Sequence, residues 1–148
     1  ALDKKGGTSI EYVRQFMKGK FPGAPKFAVL ISDVKDIAKA HVACIGNNKV
    51  GGRRLIVGKE VKKLVELSQL MAEAMPEYAK KLPKKELPNF MVKLISYLDS
   101  SAKTMIPDLG IVMQTDTTYA EELLGFKFKP AKGAIVDTAK SVVRLGLV

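Results

Sequence analysis

The chain has 148 residues, enough for one compact domain, and we treat residues 1–148 as a single unit. Apolar residues make up 47% of it, but no run of about eighteen uncharged apolar residues occurs, which argues against a membrane span. The single cysteine, Cys44, and single histidine, His41, exclude an internal disulfide and a zinc site of nitrogen and sulfur ligands, and this composition fits a cytoplasmic protein.

The net charge of +10 predicts attraction to anionic partners. However, the lysines fall in small groups dispersed along the chain, whereas a nucleic-acid interface concentrates them on one arm or face. Trp is absent, and Phe126 and Phe128 form the only alternating aromatic pair that could stack on bases. The sequence therefore favours a solvated, lysine-rich surface over nucleic-acid binding. The lysine groups are Lys4–Lys5, Lys18–Lys20, Lys62–Lys63, Lys80–Lys81 and Lys84–Lys85.

The first predicted element is a short amphipathic helix. Ser9 is a suitable N-cap, and Ile10, Val13 and Phe16 follow at helical spacing until Gly19 ends the pattern. A loop rich in Gly and Pro follows, and the apolar run 27–32, "FAVLIS", predicts a buried strand.

The segment "SDVKDIAKAHVACIG" predicts a helix with Asp33 as its N-cap and Asp36 beside the positive end of the helix dipole. We expect one stripe of this helix to be buried. His41 lies on that stripe, so we interpret it as a packed residue and not a catalytic base, because no nucleophile is near it in the sequence. The stripe comprises Val34, Ile37, Ala38, His41 and Ile45.

The run "RRLIVG" at 53–58 predicts a second strand, and apolar residues at a period of 3.6 predict a helix from Lys59 to Met75. Residues 86–106 predict a helix that is apolar around much of its circumference, either deep in the core or forming one wall of a pocket. Two short helices close the chain, one ending at Gly125 and one running from Pro130 to Gly146. The expected fold class is α/β, helix-rich, with few strands.

The patterns of a self-sufficient active site are missing from this sequence. It has no Gly-x-Gly-x-x-Gly, and Gly58-Lys59 is followed by Glu60 where a phosphate-binding loop needs Ser or Thr. None of the four tyrosines is followed four positions later by lysine. We therefore expect no catalytic, cofactor-binding or metal-binding residue in this chain.

Five segments nevertheless resemble, in order and spacing, the C-terminal part of extended short-chain dehydrogenase/reductases, most closely the dihydroflavonol-reductase-like branch. Residues 33–41 match that family's Asp-Val-Arg-Asp-Val-Ala-x-x-His motif, with Lys35 in place of the arginine. Residues 124–128 match its Leu-Gly-Trp-x-Pro segment, with Phe126 for the tryptophan and Phe128 for the proline. Residues 129–148 continue this last segment to the end of the chain. The other three similar segments are "KGKFPGAPKF", "GGRRLIVG" and "LPKKELPNFMVKL".

The resemblance implies the substrate domain of a Rossmann-type enzyme that reduces an aldehyde or ketone with NADP or NAD. The N-terminal Rossmann half, which in this family carries the glycine fingerprint and the catalytic Ser, Tyr and Lys, would be absent from this chain, so the chain alone would be inactive. The opening "ALDKKGG" likewise reads as the middle of a longer protein. The expected partners are a small carbonyl substrate and the missing half; a homodimer is left open.

By position in the family pattern, seven residues are candidates for contact with the substrate, although their apolar type favours a place in the core for each of them. They are Leu2, Phe27, Ala28, Leu30, Phe90, Met91 and Leu94.

Two other functions stay open on sequence grounds. A nucleotide-sugar epimerase or dehydratase fragment would need Arg53 and Arg54 to meet the diphosphate, although a surface arginine pair is the simpler reading. A free-standing basic interaction module would bind a polyanion or a protein. A fragment of a two-lobed enzyme should expose an apolar face, whereas an evolved module should present a polar one.

Overall fold

The computed structural model describes residues 7–97, 103 and 106–148, and it confirms a helix-rich α/β fold. Short 3₁₀ turns at Pro76–Tyr78 and Ile106–Asp108 connect longer elements. No helix among the described residues is long and apolar enough to cross a membrane. The main elements are α1 Thr8–Met17, β1 Ala28–Ile31, α2 Val34–Cys44, β2 Glu60–Lys63, α3 Leu64–Ala74, α4 Asn89–Ile95, α5 Thr118–Leu124 and α6 Ala131–Arg144.

The two strands pair antiparallel, with Ala28 opposite Lys63 and Ile31 opposite Glu60. The first strand is as predicted, but the prediction of a second strand at 53–58 is wrong. Leu55 and Val57 of that run pack instead against a small apolar cluster, and the polar segment Glu60–Lys63 forms the strand because pairing with β1 outweighs its weak β-propensity.

The predicted helix from Lys59 accordingly begins later, at Leu64. Its start is fixed by Glu66, whose carboxylate accepts a hydrogen bond from the Lys63 backbone N–H at 2.7 Å. The first helix also differs from its prediction, because Gly7 is its N-cap and Ser9 lies inside its first turn.

The main core lies where α1, α3 and α6 pack together on one face of the strand pair. Phe16, Met17 and Met71 are almost completely buried there, and the rings of Phe16 and Phe21 meet edge to face at 5.4 Å. The final helix follows its predicted pattern, with Ala131, Ile135, Ala139 and Val142 buried. Gly125 ends α5 in the left-handed conformation at φ 71°, also as predicted.

The orientation of α2 is opposite to the prediction. Asp33 caps it as expected, accepting from the Lys35 N–H at 2.7 Å, but the buried face carries Asp36 and Ala40. Small residues on this face allow close packing against α5, and Asp36 accepts a hydrogen bond from the Lys129 backbone N–H at 2.6 Å. The residues predicted to be buried, Val34, Ile37, Ala38, His41 and Ile45, are all exposed.

His41 is therefore not the packed residue that the sequence predicted. Its ring is exposed, with Nδ1 2.8 Å from the Ile37 carbonyl oxygen, one turn earlier in the same helix. Cys44 is half-buried at the second apolar cluster. Within the described residues, no group of three or more His, Cys, Asp and Glu side chains is placed to hold a metal ion.

Candidate functional site

An apolar cleft of about 420 Å³ opens between α1, β1, α3 and α6, next to the start of α2. β1 contributes Val29, Leu30 and Ile31, which are all half-buried. The helices contribute mainly aliphatic and aromatic side chains, Tyr12 among them. Among the residues that the structure describes, none of those lining the cleft carries a formal charge, although charged residues make up 27% of the chain.

Hydroxyl groups supply the polar side chains of this cleft. Ser32 donates a hydrogen bond to the Val57 carbonyl oxygen at 2.5 Å, and Thr138 donates to the Ala134 carbonyl oxygen at 2.7 Å. These bonds satisfy the Ser32 and Thr138 hydroxyls within the protein, and Ser9 and Tyr12 bring two further hydroxyls to the lining. The cleft is therefore suited to a neutral, mainly apolar molecule and poorly suited to an anion.

The position of Leu30 at the cleft depends on a glycine beneath it. A Cβ added to buried Gly58 would lie 2.7 Å from Leu30 Cγ and 2.9 Å from both of its Cδ atoms. Real Cβ atoms do not approach other carbons so closely, so the absent side chain at position 58 makes room for Leu30. The Arg53–Gly58 run thus supports the wall of the cleft from behind.

The exposed apolar residues of α2 form a surface that adjoins the cleft. Val34 is 69% exposed, Val42 68% and Ile45 81%, whereas Ile37 is 36% exposed and also lines the cleft. We call Val34, Ile37, Val42 and Ile45 the α2 stripe. Large apolar side chains at this degree of exposure, continuous with an apolar cleft, are typical of a surface that another protein segment covers.

The predicted substrate-contacting residues do not come together in one place. Leu30 lines the cleft, Ala28 is buried, and Phe27 borders a smaller separate cleft of about 130 Å³. That smaller cleft also contains Lys63 and Glu86, whose charged groups lie 3.6 Å apart.

The helix that was expected to form a pocket wall lines neither cleft. On α4, Phe90 is 69% exposed and Leu94 66% exposed, Met91 is half-buried, and Val92 is the buried residue. The deep-core alternative for this helix is also wrong for the described part. Leu2 lies outside the described residues.

The arginine pair does not reach the cleft. Arg53 and Arg54 are exposed in the loop before Leu55, and neither lines either cleft. The aromatic pair also has no free stacking face. Phe128 is buried, and Phe126 meets it edge to face at 5.5 Å while the Lys39 ammonium lies 4.1 Å from the Phe126 ring centre.

A buried carboxylate joins the segments that follow α2 and α5. Glu121 on α5 accepts from the Lys59 ammonium at 2.8 Å and from the Phe128 backbone N–H at 2.9 Å, with the Lys127 ammonium 3.0 Å away. These contacts, led by the Lys59 hydrogen bond, lower the pKa of Glu121 from 4.5 to about 2. The carboxylate is therefore charged at neutral pH and bound by these partners, which indicates a structural role that sequence reasoning missed.

No protein-family model and no curated protein sequence matches the chain. The chain does match several solved structures. The yeast methylglyoxal/isovaleraldehyde reductase Gre2, complexed with NADPH, superposes with a TM-score of 0.65 at 25% identity, covering 92% of this chain and 40% of that one.

Two further structures give the same result. Gre2 from Candida albicans, in complex with NADPH, has a TM-score of 0.67 at 21% identity over 97% of this chain and 38% of its own. The protein gox2253 has a TM-score of 0.75 at 18% identity over 99% of this chain and 47% of its own. This chain thus spans less than half the length of each of them. The recognition made from the five sequence segments is confirmed by these structures: the chain has the fold of part of an extended short-chain dehydrogenase/reductase.

Proposed function

We propose that this chain is the substrate-binding part of an NADP(H)-dependent reductase of small aldehydes or ketones. The uncharged cleft, continued onto the α2 stripe through Ile37, is the observation that carries the proposal. Two structural neighbours that are NADPH complexes support it, and one of them, yeast Gre2, is a methylglyoxal/isovaleraldehyde reductase. The proposed substrate is a neutral carbonyl compound with an apolar side chain.

The dinucleotide itself does not fit the described residues. Binding its diphosphate calls for a glycine-rich turn at a helix N-terminus, and the sequence has no such fingerprint. No described residue that lines the larger cleft offers a positive charge to a phosphate. We therefore propose that the dinucleotide site and the catalytic groups belong to a Rossmann half outside this chain, and that the chain alone does not reduce substrate.

The α2 stripe is the proposed docking surface for that half. Burying exposed Val and Ile side chains is favourable by about 25 cal/mol for each Å² of apolar surface removed from water. A free-standing basic module would gain nothing from such a face, whereas half of a two-lobed enzyme requires one. The stripe thus favours the fragment over the interaction module.

The distribution of charge around the cleft also favours the reductase over the nucleotide-sugar alternative. A sugar nucleotide brings a diphosphate that must be neutralised, and Arg53 and Arg54 lie outside the cleft. Of the sequence candidates that the structure describes, Leu30 is the one that lines the cleft, and we propose it as a substrate contact. A role in substrate binding stays a prediction for the other six candidates, which are Leu2, Phe27, Ala28, Phe90, Met91 and Leu94.

Ligand binding to the chain alone tests the cleft. Saturation-transfer NMR is recorded with acetophenone, a neutral aryl ketone, and with UDP-glucose. We expect signal transfer to acetophenone only. Leu30→Asp, which places a charge in the cleft, should abolish it, whereas Ile56→Asp, at a 45% exposed position outside the cleft, should not. Binding of UDP-glucose without acetophenone would support the nucleotide-sugar alternative and contradict the proposal.

Activity is tested in a chimera in which this chain replaces the equivalent part of yeast Gre2. We expect NADPH consumption with isovaleraldehyde, and we expect Val34→Lys with Ile45→Lys to reduce it by weakening docking of the two halves. Lys35→Glu, at an exposed α2 position outside the stripe, is the matched control. A chimera that is folded and binds NADPH, yet reduces no aldehyde or ketone, would overturn the assignment.

A further inference from the structure

The fold brings together three of the lysine groups that are dispersed in the sequence. The loop after α1 runs beside the segment between Tyr78 and α4, where the Ala24 N–H donates to the Lys85 carbonyl oxygen at 2.9 Å and the Leu87 N–H donates to the Ala24 carbonyl oxygen at 2.8 Å. Gly19 lies close enough to Lys81 that an added Cβ would be 3.4 Å from its Cβ. We call six exposed lysines of these two segments the lysine surface: Lys18, Lys20, Lys80, Lys81, Lys84 and Lys85. Lys26, which is also exposed in the loop after α1, lines the smaller cleft instead.

The backbone beneath the lysine surface is held in place. Leu82, Pro83 and Leu87 are buried, and Ser68 on α3 donates a hydrogen bond to the Pro83 carbonyl oxygen at 2.6 Å. The pattern Lys-Lys-Leu-Pro-Lys-Lys-Glu-Leu at 80–87 thus alternates pairs of outward lysines with buried anchors. The lysines of residues 80–87 are therefore carried by a backbone segment that is anchored to the core.

Within the described part of the chain, little of the charge of this surface is offset, although Lys20, after the hydrogen bonds from Gln15 and Arg14, contributes to lowering the pKa of Glu11. No carboxylate there lies within 4.0 Å of any of the six ammonium groups, whereas Lys59, Lys62, Lys63 and Lys127 each have one. The neighbouring Glu86 is turned toward Lys63. A concentration of unneutralised lysines attracts polyanions and their counterions.

We propose that the lysine surface binds the phosphate backbone of double-stranded nucleic acid without sequence preference. Neither of its two segments has a large exposed apolar side chain, so it lacks the anchors of a protein interface and the second, apolar element of a stable membrane attachment. Phe21 packs against Phe16, and the Lys81 ammonium lies 5.8 Å from the centre of the half-buried Tyr78 ring, so neither segment offers a free ring to stack on single-stranded bases. Point charges alone suit the phosphates of a duplex.

Fluorescence anisotropy of the whole chain with a labelled random-sequence DNA duplex tests the proposal. For about six phosphate contacts, wild-type affinity should fall about 10³-fold as salt rises from about 50 to about 200 mM. The variant K80Q/K81Q/K84Q/K85Q should bind more weakly at low salt and lose only about tenfold over that range. The matched control K35Q/K49Q/K93Q/K140Q changes four exposed lysines elsewhere and removes the same charge. It should keep most of the wild-type salt dependence.

The variant K18Q/K20Q tests the second segment independently, and we expect it also to reduce the salt dependence. Equal losses of salt dependence in K80Q/K81Q/K84Q/K85Q and in the matched control would show that net charge alone drives binding, and would overturn the proposal. Binding to phosphatidylserine vesicles without binding to the duplex would overturn it as well, because the surface would then be a membrane contact.

Discussion

Gly58→Ala is the substitution that most directly tests how the cleft is built. The new Cβ would lie 2.7 Å from Leu30 Cγ, so Leu30 must move, and the open space available to it is the cleft. Overpacking of this kind costs about 1–3 kcal/mol. Replacing Gly by Ala recovers about 0.4–1 kcal/mol from the unfolded chain. We therefore expect a net loss of about 1–2 kcal/mol in the free energy of unfolding, which lowers Tm by about 3–6 °C for a chain of this size.

Urea denaturation followed by circular dichroism measures this effect in a double-mutant cycle. In the Leu30→Ala background the clashing atoms are gone, so Gly58→Ala should cost little there. Gly133→Ala is the control, because nothing lies within 4 Å of a Cβ at this exposed helical position, and it should stabilise by about 0.5–1 kcal/mol. The reasoning is refuted if Gly58→Ala is as stable as wild type, or if its cost is the same in both backgrounds. The substitution should also weaken acetophenone binding.

Three further substitutions test other parts of the structure. Because the pKa of Glu121 is lowered from 4.5 to about 2, its carboxylate stabilises the fold above about pH 4.5, and this contribution is lost as pH falls toward 2. Glu121→Gln should therefore lower the urea midpoint at neutral pH, with the difference from wild type closing below pH 4.5; a constant difference would contradict this. Asp33→Ala removes the N-cap of α2 and should cost about 1 kcal/mol in urea unfolding, whereas Asp33→Asn should cost less. Ile45→Lys, at an 81% exposed position, should change stability by less than about 0.5 kcal/mol and reduce binding of the apolar dye ANS; a large loss of stability would mean that the stripe is buried.

Helix α2 shows how a correctly identified helical pattern can still give a wrong prediction of which helix face is buried. Hydrophobic periodicity identified the helix correctly, but the residues that it placed on the buried stripe are all exposed. Periodicity cannot say whether an apolar face turns toward the chain's own core or toward a surface available to a partner. Here the inner position went to Asp36 and Ala40, because small side chains and a hydrogen bond to Lys129 fit the narrow space against α5.

The two strands also differ in how far the local sequence predicts them. "FAVLIS" was recognised because its apolar run is long enough to be a strand on local grounds. β2 was missed because Glu60–Lys63 has no local signal, and only its register with β1 makes it a strand. The more strand-like run before it became the support for Leu30, a role that depends on contact between residues far apart in the chain.

The sequence by itself determined the helix-rich class, the caps at Asp33 and Gly125, the buried pattern of the last helix and the likeness to extended short-chain dehydrogenase/reductases. These properties depend on neighbours within a few turns or on the order of segments, which the linear sequence records. Only the tertiary structure decided that Leu30 alone of the described predicted contacts lines the cleft, that the apolar face of α2 is exposed, and that dispersed lysines share one surface. Each of these depends on which distant residues come within a few ångströms of one another, and local spacing carries no information about that distance.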